Sequence, residues 1–79
     1  MKNKYESIPF QDSPEKRSQL EKVLADFKTV PGALVQVLKK AQDIYGYLPL
    51  EVQIAVAEGL DVSLEEVYGV VTFYSFFST

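Results

Sequence analysis

Carboxylates are the only plausible acid–base groups in this 79-residue chain, which contains no histidine and no cysteine. The missing imidazole removes the usual general base, the commonest metal ligand and any Ser-His or Cys-His nucleophile pair. The missing thiol excludes a disulfide framework and a Cys-based zinc or cluster site. The remaining acids do not converge. Glu65 and Glu66 are adjacent, so on a helix they point about 100° apart and cannot share a substrate. Glu51 and Glu58 read as solvated helix positions, and a carboxylate metal site would need acids on facing helices, usually with histidine. Ser63 has no base partner and reads as a helix cap. Lys39-Lys40 could touch an anion or a partner, but a solvated face is the simpler account. None of the glycines has phosphate-loop spacing. The sequence offers no catalytic constellation.

Composition points the same way. The formal net charge is −3, and no Lys or Arg follows Lys40. Nucleic-acid binding needs a basic patch to neutralise phosphates, and the more apolar half here is acidic. No apolar run reaches the roughly 18 residues of a membrane span. Residues 1–10 lack an apolar signal segment, so the default compartment is the cytoplasm. With 47% hydrophobic residues, the chain has the material for the core of one small domain.

The elements follow from periodicity and caps. Residues 1–12 are polar and aperiodic and read as a flexible arm, leaving residues 13–79 for the domain. Ser13 caps and Pro14 starts a first helix, with Leu20, Val23, Leu24 and Phe27 on one stripe, ending near Thr29. Pro31 is expected in the first turn of a second helix. That helix buries Leu34, Val35, Val37, Leu38, Ala41, Ile44 and Tyr45, turns Lys39, Lys40, Gln42 and Asp43 outward, and stops at Gly46. The third helix is expected over Leu50 to Glu58, with Gln53 outward and Gly59 as its stop. Ser63-Leu64-Glu65-Glu66 is a capping box, with Val62 and Val67 as its hydrophobic staple. Residues 70–77 are rich in strand formers. A lone strand would have no partner, so the fourth helix is extended to Tyr74 or Ser75. The fold class expected is all-α, with four short helices in an antiparallel, bundle-like domain.

Two features exceed what such a bundle needs. Gly69 lies inside the fourth helix, where glycine costs about 1 kcal/mol relative to alanine. Its presence suggests close approach of another backbone, from within the bundle or from outside. Phe73, Tyr74, Phe76 and Phe77 cannot all face one small core, so they either form a partner surface or fill the core between them.

Ala41-Gln42-Asp43-Ile44-Tyr45-Gly46-Tyr47-Leu48-Pro49 and Ser63 to Phe77, with its Glu66-Val67-Tyr68-Gly69 and Thr72-Phe73-Tyr74 runs, resemble two segments of a known family. This is the family of 24 kDa-type subunits of NADH:quinone oxidoreductase (complex I) and gamma-type subunits of NAD(P)-linked iron hydrogenases and formate dehydrogenases. The resemblance covers about residues 14–79. It implies an N-terminal helical domain that precedes a thioredoxin-like domain carrying a [2Fe–2S] cluster on four cysteines. The chain would be the helical part alone, with no cofactor and no catalysis of its own, since cluster ligation needs thiolates. Carried over residue by residue, Tyr45, Gly46, Tyr47, Leu48 and Pro49 form a structural link. Tyr68, Gly69, Thr72, Phe73 and Tyr74 become docking residues, joined by the terminal Phe76 and Phe77, while Ser63 and Glu66 cap the fourth helix. The partners implied are the flavin-bearing, NADH-binding subunit and the thioredoxin-like domain, not nucleic acid or membrane. The alternative is an autonomous helical adaptor that binds a redox partner.

Overall fold

A cap and a proline start the first helix in the computed structural model, which describes residues 12–79. Of the arm expected at residues 1–12, residues 1–11 lie outside the described residues, and Asp12 accepts a hydrogen bond from the Tyr45 hydroxyl. Ser13 is extended, and its Oγ accepts from the Lys16 N–H at 3.1 Å. The chain then runs as α1 (Pro14–Phe27), α2 (Leu34–Tyr45), α3 (Leu50–Leu60) and α4 (Leu64–Phe73). No strand occurs among the described residues. Every pair of helices packs together except α1 with α4.

The core is the sum of the apolar stripes. Leu20, Val37, Leu38, Leu48, Val56 and Val67 are wholly buried. Val23, Leu24 and Phe27 of α1 lie half-buried against them. Spacings of three and four residues put each stripe on one helix face, so removal of apolar surface from water drives the packing.

Three boundaries differ from the sequence-based expectation, each for a physical reason. Pro31 precedes α2 rather than opening it. Ala33 is the cap residue, and the Pro31-Gly32 turn is needed to reverse the chain after α1. Helix α3 does not stop at Gly59 but continues to Leu60. Asp61 ends it with φ of 57°, and the Val62 N–H reaches back to the Ala57 carbonyl at 2.9 Å. Asp is one of the few residues that tolerates this left-handed conformation, so the stop did not require glycine. Gly59 serves packing instead: a Cβ there would lie 2.6 Å from Leu24 Cδ1.

Helix α4 ends at Phe73, one or two residues early. Tyr74 turns extended (φ −95°, ψ 123°), its N–H still bonded to the Val70 carbonyl. That turn lets the next residues fold back, so that Phe77 enters the core with 8% of its surface exposed. The Ser63 cap forms, accepting from the Glu66 N–H at 3.1 Å. The reciprocal bond from the Glu66 carboxylate does not form among the described residues, so half of the expected capping box is present.

Candidate docking surface

The aromatic residues at the end of α4 form a graded series rather than one patch. Phe73 is 81% exposed, Phe76 is about half exposed, Tyr74 is half-buried and Phe77 is buried. Tyr74 is the hub. Its ring meets Phe73 edge-on at 5.1 Å, Phe76 at 5.2 Å and Phe77 edge-on at 6.2 Å. Aromatic pairs at such distances and angles attract beyond simple burial, so the buried Phe77 anchors its exposed neighbours. Lys39 Nζ stands over the Phe76 ring at 4.8 Å.

Helix α4 extends this face. Tyr68 and Leu64 are exposed, and so are Glu65, Gly69 and Thr72. A Cβ built on Gly69 would meet nothing within 4 Å, so no close contact inside the domain explains that glycine. The close internal approach expected there is made at Gly59. Thr72 Oγ1 donates to the carbonyls of Tyr68 and Gly69, which turns its polar end back onto the helix. The acids Glu51, Glu58, Asp61, Glu65 and Glu66 are all exposed, and no base accompanies them on α3 or α4.

The link from Tyr45 to Pro49 bonds the chain beyond α4, the Leu48 N–H donating to the Ser78 carbonyl. Gly46 takes φ of 85° and its N–H bonds the Gln42 carbonyl, a left-handed stop to α2. Leu48 and Pro49 are buried, whereas Tyr47 is 40% exposed. Tyr45 is buried and its hydroxyl donates to Asp12 Oδ1 at 2.8 Å. Burial, then the bond to the Asp12 carboxylate and its negative charge, push the Tyr45 hydroxyl up to about 12.

Two glutamines expected on the outer faces turn inward. The Gln42 carboxamide bonds the backbone on both sides of Phe77, and Gln53 is 2% exposed with its Nε2 donating to the Leu48 carbonyl. Their signal was chemical rather than periodic. A carboxamide combines donor and acceptor without charge, and the backbone satisfies both ends of Gln42, whereas the buried Gln53 Oε1 has no partner among the described residues.

Nothing here assembles into a reaction centre. Among the described residues no three His, Cys, Asp or Glu side chains gather as a metal site. A shallow groove between α1 and α2, lined by Lys22, Asp26, Phe27, Lys40 and Asp43, holds charges of both signs and no serine, cysteine or histidine. No helix among the described residues is long and apolar enough to cross a membrane.

The comparisons agree with the sequence motifs. Residues 20–79 match the family model of the thioredoxin-like [2Fe–2S] ferredoxins. Over 47 residues, 60% of this chain, the sequence is 60% identical to the NADP-reducing hydrogenase subunit HndA of Solidesulfovibrio fructosivorans. The matched stretch is 28% of that relative's length. The cluster in the family's description does not fit the residues present: there is no cysteine, and the exposed acids do not converge. Four helices, the paired link and α4 segments, and a match over most of its length place this chain in the thioredoxin-like [2Fe–2S] ferredoxin family.

Proposed function

We propose that these residues are the helical docking domain of a [2Fe–2S] electron-transfer subunit in an NAD(P)-linked oxidoreductase of the hydrogenase type. The domain packs on the flavin-bearing subunit and catalyses nothing alone. Its contribution is positional: electron tunnelling falls steeply with separation, so a rigid mount that fixes a cluster near a flavin sets the transfer rate. The observation that carries this reading is Phe73, 81% exposed one turn beyond Gly69 on an open helix face. An aromatic side chain standing in water, beside a glycine that no close contact inside the domain explains, suits a partner backbone that approaches at Gly69 and a pocket that takes the ring. The exposed acids on α3 and the first turn of α4 suit a partner with basic residues facing that end of the helix.

The test is co-purification of the cluster-bearing subunit that contains this domain with its flavoprotein. Phe73→Ser and Gly69→Ile are expected to abolish or strongly weaken association while the helical circular dichroism of the domain is retained. Unchanged association in both variants would refute the docking face.

A further inference from the structure

The last residues of the chain are held by a side chain that behaves as a piece of backbone. Gln42 Nε2 donates to the Phe76 carbonyl at 2.9 Å, and the Ser78 N–H donates to Gln42 Oε1 at 2.7 Å. These two bonds flank Phe77. They reproduce the paired N–H and C=O exchange that a residue in a β-strand makes with its neighbour. On the other side of Ser78, the Leu48 N–H donates to the Ser78 carbonyl at 2.7 Å. Leu48 is itself fixed from the other side by Gln53, whose bond to the Leu48 carbonyl is buried. A strand-prone tail with no strand to pair with therefore finds its partners in one carboxamide and one link residue.

We infer that Gln42 is a positioning residue that sets the register and direction of residues 76–78. Burial of Phe77 fixes one ring but leaves the backbone on either side free to rotate. The bidentate carboxamide removes that freedom, because it reaches one residue on each side of the ring at once. A tail shifted by a single residue would present Ser75 and Phe77 to Gln42 and expel the ring from the core. On the docking reading proposed above, the clamp fixes the direction in which the backbone leaves the domain beside the Tyr45–Pro49 link. The bonds themselves do not depend on that reading.

The experiment is amide hydrogen exchange on the ¹⁵N-labelled protein with Gln42→Met and Gln42→Asn. Methionine keeps the length without hydrogen bonds, and asparagine keeps the carboxamide one methylene too short to span Phe77. In both variants the Ser78 and Leu48 amides are expected to exchange at least about tenfold faster, with amides at Val56 and Ala57 changed by less than about twofold. Backbone order parameters of residues 76–79 are expected to fall in parallel. Unchanged Ser78 protection in Gln42→Met, or full protection in Gln42→Asn, would overturn the clamp. Equal acceleration throughout α3, or unfolding of both variants, would also overturn it by making Gln42 a general stabiliser. This readout needs no partner, so the clamp and the docking face can each fail without the other.

Discussion

Gly59 and Leu24 approach so closely that a methyl group on Gly59 would fall 2.6 Å from Leu24 Cδ1 and 3.1 Å from its Cγ. This contact, rather than a turn, is why α3 carries a glycine in its last turn. Gly59→Ala removes the helix penalty of glycine, a gain of about 1 kcal/mol. It also displaces the Leu24 side chain from the core it packs on, and overpacking of this kind costs about 1–3 kcal/mol. The net effect expected is neutral to destabilising by about 2 kcal/mol. Leu24→Ala should cost less in the Gly59→Ala background than alone, measured by a double-mutant cycle in urea. Additive effects would show that the two residues do not compete for the space.

Gly69 is the control for that argument. It has the same helix penalty and no contact to lose. Gly69→Ala is therefore expected to stabilise the isolated domain by about 1 kcal/mol, raising Tm by about 4–8 °C. A lower melting temperature would mean that something inside the domain already needs the space.

The half-formed capping box separates two residues that the sequence pairs. The Ser63 hydroxyl takes the Glu66 N–H, so Ser63→Ala should cost about 1 kcal/mol. Glu66 returns no side-chain bond, and Glu66→Gln should lose only its favourable charge near the helix N-terminus, about 0.3–1 kcal/mol and screened by salt. A loss in Glu66→Ala at high salt equal to that in Ser63→Ala would show a complete box.

Phe73 and Phe77 should behave as opposites. Phe73→Ser removes an exposed ring and is expected to leave the fold intact and improve solubility. Phe77→Ala empties a core site, a loss of about 3–5 kcal/mol. That is most of what a domain of this size can spare, at roughly 0.05–0.15 kcal/mol per residue. Thermal melts followed by circular dichroism distinguish them; a tolerated Phe77→Ala would remove the anchor from the aromatic series.

Tyr45 gives the domain an alkaline limit. Its folded value of about 12 lies above the ordinary 10 of tyrosine, because burial and the Asp12 carboxylate disfavour the phenolate. Between those values the unfolded chain has lost a proton that the folded one keeps, so stability falls as pH rises. The contribution is complete below about pH 10 and lost progressively from about pH 10 to 12. Denaturation as a function of pH should show a smaller decline for Tyr45→Phe than for the parent protein over that window. Identical slopes would place the effect in other tyrosines and lysines.

The sequence made the helices legible because caps and stripes are local. Ser13-Pro14, Gly46 and Ser63 each act within one turn of where they stand, and all three are placed as expected. It misled where a residue's role was decided across the fold. Gly59 looked like a stop because its contact is with Leu24, far away in the chain. Asp61 took the left-handed position because it could. Gln42 and Gln53 fell among outward-facing positions; no period reveals that the Gln42 carboxamide will be met by a backbone more than thirty residues away, or that Gln53 will reach back five residues to the Leu48 carbonyl. The surplus of aromatic residues left surface and core both open, and the structure divides them, Phe73 outward and Phe77 inward. Phe77 turned inward because Tyr74 breaks the helix, and propensity within residues 70–77 does not specify where that happens.

The separation of charge along the chain has a consequence for motion rather than for shape. The six bases among residues 13–40 lie on α1, α2 and their connection, whereas α3, α4 and the turn between them carry acids only. The molecule is therefore an electric dipole, and any charged surface exerts a torque on it before contact. Near a basic surface it swings α4 forward, and near an acidic one it swings α4 away. Dissolved salt shortens the range of that torque to about 10 Å at 0.1 M. The frequency of correctly oriented encounters, more than the tightness of the final grip, is then what ionic strength controls.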